Sequence, residues 1–154
     1  MKITLLCVGR LGKAPEGGLA EDWIRRADRV GRAHGFSPVD LIEVETRKGG
    51  KTAEGEAIMR RCEDATLIAC DERGEAHSSR AFTALLIRLR DNGTQHLVFA
   101  IGGADGLDAT VLEHAKYRIA FGPQTWPHAL ARAMLAEQIY RAASLTAGTP
   151  YHRD

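Results

Sequence analysis

The chain has 154 residues, 44% of them hydrophobic and 27% charged, which predicts one folded domain over residues 1–154 and excludes a disordered, collagen-like or disulfide-framework protein. A formal net charge of +1 excludes the strongly basic field of an autonomous nucleic-acid binder and leaves local patches as the route to nucleic acid. No apolar run approaches the roughly 18 residues that span a bilayer, so we expect a cytoplasmic protein.

Apolar runs alternate with amphipathic stretches through the first half of the chain, which predicts strands alternating with helices. In chain order these are a strand at 3–8, a helix at about 19–30, a strand at 38–44, a polar loop at 45–52, a weak helix ending near residue 62 and a strand at 65–70. The third strand ends at Cys70, just before the acidic pair Asp71 and Glu72.

The second half of the chain continues this alternation. Ser78 or Ser79 is a suitable N-cap, because a hydroxyl can accept from the free amides of the first helical turn. The elements are a helix from that cap to 92–93, a strand at 96–101, a short helix opened by the glycine turn 102–107, a strand at 117–121, an irregular loop at 122–127, a helix at 128–145 and a tail at 149–154. Together they predict a single-domain α/β fold, a parallel sheet with helices on both faces.

The three cysteines are an odd number without a CxxC motif or a histidine at ligand spacing. Cys7 and Cys70 each lie inside an apolar run. With Cys62, we expect them to be reduced thiols that pack as small hydrophobic side chains, with no disulfide and no metal site.

Ligands of open parallel sheets bind beyond the carboxyl ends of the strands. The loops predicted there are 70–72, 102–106 and 122–127. Glycines at 102, 103 and 106 let the second loop turn tightly and approach a ligand closely. Because Ala104 interrupts a GxGxxG pattern, a dinucleotide site is not indicated. This loop is either a small-molecule site or only a turn.

The loop at 122–127 combines a glycine, two prolines and Trp126. A rigid irregular backbone leaves amides and carbonyls unpaired, which suits recognition of a planar heterocycle such as adenine. The alternative is a rigid connection with Trp126 packed in the core.

The segment 50–52, Gly-Lys-Thr, copies the end of a phosphate-binding loop. The full motif requires glycine where this chain has Glu45, a carboxylate that would repel phosphate. A nucleotide-binding regulator is therefore the weaker hypothesis. Arg47, Lys48 and Lys51 form either a solvated basic loop or a contact to an RNA backbone.

The last predicted helix carries two pairs of polar residues at i, i+4 spacing. His128 and Arg132 share one helix face, and Glu137 and Arg141 are expected to form an exposed ion pair.

The tail presents a phenol, an imidazole and a guanidinium in succession, at Tyr151, His152 and Arg153. Such groups stack on bases, exchange protons and bind phosphate. A disordered chain end is the alternative.

Three ordered motifs, "IGGADGL" at 101–107, "TWPHALARAMLAEQIYRA" at 125–142 and "PYHRD" at 150–154, resemble the RlmH-type methyltransferases of the SPOUT superfamily. The likeness runs through the whole chain, including "CVGRLGK" at 7–13 and the basic loop. Three positions depart from the family pattern without removing a charge or a glycine: Trp126, Ala104-Asp105 and Asp154.

The resemblance implies a homodimer with a trefoil knot in the carboxyl-terminal half of each chain. It implies S-adenosylmethionine as the methyl donor and the N3 position of a pseudouridine in large-subunit (23S) ribosomal RNA as the acceptor. The residues that it assigns to the donor are Cys70, Gly102, Gly103, Phe121, Gly122, Pro123, Gln124, Thr125, Trp126 and Pro127.

The same resemblance assigns the tail residues Tyr151, His152 and Arg153 to catalysis, at the partner chain's donor site. The residues expected to contact RNA are Arg47, Lys48, Lys51, His128 and Arg132. His152 is the expected base and Arg153 the expected stabiliser of an oxyanion or phosphate. The near-neutral net charge predicts the assembled ribosome as the preferred substrate. The remaining alternative is a catalytically silent dimer that binds ribosomes.

Overall fold

The computed structural model describes residues 1–46 and 49–151. Five strands and five helices alternate along the chain, as the sequence predicts. In order they are β1 (Lys2–Val8), α1 (Pro15–Gly31), β2 (Val39–Val44), α2 (Lys51–Met59), β3 (Thr66–Ala76), α3 (Ser79–Asp91), β4 (His96–Ile101), α4 (Ala109–His114), β5 (Tyr117–Ala120) and α5 (His128–Thr146). A single 3-10 turn, Arg32–His34, follows α1.

The five strands form one sheet in the order β2-β1-β4-β3-β5, and every neighbouring pair is parallel. A parallel sheet needs a crossover between paired strands, and the helices supply these crossovers. The α/β fold that the sequence predicts is therefore confirmed. The trefoil knot that the resemblance implies stays a prediction.

Alternate residues of the central strands enter two separate cores, because side chains of a strand point to opposite faces of the sheet. Ile3 and Leu5 of β1 pack against α1, α3 and α5, whereas Leu6 and Val8 pack against α2 and α4. The sheet thus carries helices on both faces, and its carboxyl-terminal edge is left for loops.

Three helices begin elsewhere than predicted. Helix α2 starts at Lys51, inside the loop predicted at 45–52. The other two differ for local reasons. Helix α1 starts at Pro15, four residues before the periodic apolar pattern, because proline suits the first helical position. Helix α4 starts at Ala109, beyond the glycine turn, where the Asp108 side chain accepts from the Thr110 amide at 2.9 Å. Of the two predicted caps of α3, Ser78 is the N-cap and accepts from the Ala81 amide.

Strand β3 continues six residues past its predicted end at Cys70. Both Cys70 and Glu75 are opposite Ile119 of β5, so residues 71–74 form a bulge. A Cβ on Gly74 would lie 2.6 Å from the Ile119 backbone, which explains why glycine occupies the point where the bulge returns to the sheet.

All three cysteines are free thiols. Cys7 and Cys62 are packed as small buried side chains, as predicted, whereas Cys70 is only partly buried. Cys7 and Cys62 are fully buried, and burial raises the pKa of the Cys7 thiol to about 12. Among the described residues, no helix combines the length and the apolar character needed to cross a membrane.

Candidate functional site

A cavity of about 680 Å³ lies at the bulge of β3 and at the carboxyl ends of β4 and β5. The three loops expected there, 70–72, 102–106 and 122–127, all contribute to its wall. Its volume is in the range of small-molecule sites. Eight of the ten residues predicted to contact the donor line it: Cys70, Gly102, Gly103, Phe121, Gln124, Thr125, Trp126 and Pro127. Gly122 lines a neighbouring groove instead, and Pro123 is not among the lining residues of either.

The bulge of β3 forms one wall of this cavity. It places Asp71, Glu72 and Arg73 along the rim, where a regular strand would have paired with β5. The Asp71 carboxylate accepts from the Arg73 amide at 2.9 Å, and the Glu72 carboxylate accepts from the Thr125 hydroxyl at 2.9 Å. The second hydrogen bond joins the bulge to the loop at 122–127.

The glycine turn after β4 forms another part of the wall, and within it two backbone segments lie close together. Gly103 and Gly106 form an isolated antiparallel bridge, and the Gly106 amide donates to the Gly103 carbonyl at 3.0 Å. A Cβ on Gly102 would lie 2.4 Å from the carbonyl carbon of Gly106. Only glycine fits at position 102, so this turn can present its backbone directly to a ligand.

Trp126 lies at the rim of the cavity with 40% of its surface exposed. Its indole Nε1–H donates to the Phe121 carbonyl at 3.0 Å, which closes the loop on itself. Of the two interpretations of this loop, burial of Trp126 in the core is therefore wrong.

The cavity carries charged groups of both signs. The acidic lining residues are Asp71, Glu72 and Asp105, and the basic ones are Lys51, Arg73 and His128. Burial raises the pKa of the Cys70 thiol, so the part of the wall made by Cys70 is neutral. Helix α5 begins at the cavity without a side-chain cap, and the amides of a helix start favour negatively charged groups.

The residues predicted to contact RNA have different positions in the structure. His128 and Lys51 line the cavity, whereas Arg47 and Lys48 lie outside the described residues. The prediction for Arg132 needs correction, because this side chain is fully buried. It has no surface on which a nucleic acid could contact it.

Arg132 instead ties α5 to the ends of two strands. Its guanidinium donates to the Glu43 carboxylate at 3.0 Å, to the Gly9 carbonyl at 2.7 Å and to the Val8 carbonyl. The same Glu43 oxygen accepts from the Leu11 amide at 2.9 Å. The role that these contacts support is positioning of the cavity edge at the start of α5.

Of the tail residues assigned to catalysis, Tyr151 is described, and His152 and Arg153 lie outside the described residues. Tyr151 packs against α1 and α5, and its hydroxyl donates to Glu137. The expectation that Glu137 and Arg141 form an exposed pair is wrong, since their side chains are 19% and 25% exposed. The i, i+4 spacing predicts the pair but carries no information about the tail that covers it.

An apolar groove of about 580 Å³ lies next to the cavity and shares the wall formed by residues 119–121. Leu19 of α1 and Leu130 of α5 line it with 48% and 37% of their surfaces exposed. Trp23 and Glu137 also line it. Among the described residues, no group of three or more histidine, cysteine, aspartate or glutamate side chains could hold a metal ion.

Comparison with known proteins gives full-length matches. The family model described as predicted SPOUT methyltransferase matches residues 1–152. A relative from Phenylobacterium zucineum (strain HLK1) is 57% identical, and one from Caulobacter sp. (strain K31) is 58% identical, each over 100% of both chains. Both relatives are named ribosomal RNA large subunit methyltransferase H. A solved structure, the SpoU methyltransferase AviRb from Streptomyces viridochromogenes in complex with AdoMet, is a distant likeness with a TM-score of 0.45 and 16% identity, over 90% of this chain and 56% of that chain.

Proposed function

The chain belongs to the SPOUT methyltransferase family, and from this premise we propose that it transfers the methyl group of S-adenosylmethionine to large-subunit ribosomal RNA. The acceptor in this proposal is the N3 atom of a pseudouridine, and the reaction takes place on assembled ribosomes in the cytoplasm. The observation that supports the proposal is the cavity between the bulge of β3 and the ends of β4 and β5. Eight of the ten residues expected to contact the donor line it.

The residues of the cavity fit this donor. S-adenosylmethionine supplies an electrophilic methyl group on a positively charged sulfonium. Carboxylates at Asp71, Glu72 and Asp105 suit that positive charge. The close-packed turn at Gly102 offers backbone groups to a heterocycle edge, and the start of α5 offers amides to the carboxylate of the amino-acid part.

The chemistry of the acceptor atom gives the tail residues a role in the proposed reaction. The imide N3 of a pseudouridine carries a proton at neutral pH, so it becomes a nucleophile when that proton is removed. His152 is the proposed base, and Arg153 would stabilise the charge that develops on the neighbouring oxygens. Placement of N3 in line with the methyl group would supply a further part of the acceleration.

The proposed active unit is a homodimer in which the tail of one chain meets the donor cavity of the other. Support comes from the apolar groove, because exposed apolar surface next to a site is typical of an interface. Leu19 and Leu130 are the exposed side chains that a second copy would cover. Tyr151 contacts Trp23 and Glu137, which line this groove and not the donor cavity of the same chain.

The preference for an assembled ribosome rests on charge. A chain with a formal net charge of +1 gains little from counterion release on naked RNA. The shape and the proteins of the assembled particle would supply the affinity that charge does not.

The test is methyl transfer from radiolabelled S-adenosylmethionine to ribosomes purified from cells that lack this protein. Separated subunits, assembled particles and protein-free ribosomal RNA are compared side by side. We expect label in large-subunit RNA, most of it from assembled particles, and mapping to N3 of one pseudouridine. Equal or greater labelling of protein-free RNA would overturn the ribosome preference. Ribosome binding without any label would favour the catalytically silent dimer.

A further inference from the structure

The phenol ring of Tyr151 is surrounded by three side chains of the folded domain. Its centroid lies 4.7 Å from that of Tyr140, edge to face, and 5.8 Å from that of Trp23. The Arg141 guanidinium lies 4.8 Å from the ring centroid, a cation–π distance. A residue only three positions from the chain end is thus packed from several sides.

The hydroxyl of Tyr151 completes this packing. It donates to Glu137 Oε1 at 2.8 Å, and Arg141 donates to the same oxygen at 2.5 Å. The other Glu137 oxygen accepts from the side-chain amide of Gln138 (Nε2) at 2.7 Å. One carboxylate therefore holds both the tail and the helix residue that covers the ring. We name Trp23, Glu137, Tyr140, Arg141 and Tyr151 the tail anchor.

The backbone between α5 and Tyr151 turns the chain towards the anchor. Gly148 has a φ of +66°, a left-handed conformation that ends the helix. The Thr149 amide and hydroxyl both donate to the Ser144 carbonyl, at 3.0 and 3.3 Å. Chain termini usually fray unless they are tied down, and here the described part of the tail is tied by backbone and side chain alike.

We propose that the tail anchor is a positioning device, in which the Glu137 carboxylate holds Tyr151 so that His152 and Arg153 start from a fixed point. Tyr151 is then a positioning residue, and the catalytic assignment that the family resemblance gives it is revised. The inference rests on the proposed function, because it takes the two residues that follow Tyr151 to be the ones that act on RNA.

The state of the phenol agrees with this role. Its single proton is engaged by Glu137, so it is not offered to a substrate. Burial, together with the hydrogen bond to the Glu137 carboxylate, raises the pKa of Tyr151 to about 12. A phenol with such a pKa is a poor proton carrier near neutral pH.

The anchor also adjoins the proposed dimer interface. Trp23 and Glu137 line the apolar groove, so a second copy seated there would pack against the anchor. Assembly of the dimer would thereby support the same residues that fix the tail.

The experiment compares Tyr151→Phe, Glu137→Gln and the double variant in the full-length protein. Tyr151→Phe keeps the ring and removes only the hydroxyl, whereas Glu137→Gln keeps the shape and removes the charge. Glu113→Gln, the same change at an exposed residue of α4, is the matched control. The measurements are kcat and KM with ribosomes, the Kd for S-adenosylmethionine, and hydrogen exchange of the tail by mass spectrometry.

Each single variant should lower kcat about ten-fold, the factor that corresponds to one lost hydrogen bond to a charged group. The Kd for the donor should stay within about two-fold, and tail amides should exchange faster. The double variant should be no slower than Tyr151→Phe, because both changes act on the same contact. Glu113→Gln should match the unmodified protein in every measurement.

Several outcomes would overturn the inference. If Tyr151→Phe is slow while Glu137→Gln keeps full kcat, the hydroxyl acts on the substrate and not through Glu137. If both variants keep wild-type kcat and exchange, the anchor does not position the tail. If the unmodified protein transfers no methyl group at all, the proposed function fails, and hydrogen exchange still decides whether Glu137 holds the tail.

Discussion

Arg132 and Glu43 are 89 residues apart in the sequence, and their side chains meet at 3.0 Å. The contact joins the start of α5 to β2 and, through the Val8 and Gly9 carbonyls, to the end of β1. It is built from a fully buried arginine and a carboxylate that is 31% exposed. The edge of the cavity that we propose for the donor is thus tied to two strands by a polar contact inside the domain.

Replacing Arg132 by methionine should lower the free energy of unfolding by about 3 kcal/mol, since the Val8 and Gly9 carbonyls would lose the guanidinium and Glu43 would keep only the Leu11 amide as a donor. Urea denaturation measures this change. Arg29→Met, at an exposed position of α1, should change the free energy of unfolding by less than about 0.5 kcal/mol. Equal stability of the two variants would show that the buried guanidinium does not hold α5 in place.

Gly102→Ala should weaken binding of S-adenosylmethionine at least about ten-fold, because the added Cβ must displace the Gly106 backbone. Isothermal titration calorimetry gives the Kd. Gly18→Ala adds the same methyl group to α1, where nothing lies within 4 Å, and should leave the Kd unchanged. Wild-type affinity in Gly102→Ala would mean that the donor binds elsewhere.

Leu130→Asp should convert the proposed homodimer into monomers, since it places a charge in the apolar groove. Light scattering after size-exclusion chromatography reports the mass. Ala109→Asp adds a carboxylate to the first turn of α4, on the other face of the sheet, and should stay dimeric. Methyl transfer by a fully monomeric Leu130→Asp variant would argue against a composite site.

Stability should depend on the protonation of His96, whose ring lies 3.0 Å from the Thr4 hydroxyl. Burial and the nearby Lys2 ammonium lower the pKa of His96 below its ordinary value of 6.5. The unfolded chain therefore takes up the proton more readily, so this contribution to stability is complete above pH 6.5 and is lost as the pH falls through the folded-state pKa.

Urea unfolding of His96→Gln at a series of pH values tests this expectation. The variant should show a flatter decline of stability below pH 6.5 than the unmodified protein. His114→Gln, at an exposed position of α4, should keep the original slope. An unchanged slope in His96→Gln would assign the decline to other groups.

The periodicity of apolar residues was sufficient to predict all five strands and their alternation with helices. The runs at 3–8, 96–101 and 117–121 correspond to β1, β4 and β5 within one residue at each end. Buried parallel strands read as continuous apolar segments, so the sequence carries the signal locally. The loops that follow such strands could be assigned to one edge for the same reason.

Contacts between distant segments could not be predicted in this way. The bulge of β3 depends on Ile119, which lies in another strand, and Gly74 was the one local sign of it. The i, i+4 spacing predicted that Arg132 shares a helix face with His128. The alanines on either side of Arg132, at 131 and 133, were the available sign in the sequence that this part of the helix is buried. The packing of Tyr151 depends on α1, at the other end of the chain.

The raised pKa of Cys70 bears on whether a bound sulfonium donor could methylate this cysteine. A sulfonium donor alkylates soft nucleophiles, and a thiolate is the softest nucleophile that a protein side chain offers. Cys70 lines the cavity, and desolvation there raises the pKa of its thiol, which favours the protonated form. In the complex proposed above, a protonated Cys70 would not compete with the RNA acceptor for the methyl group.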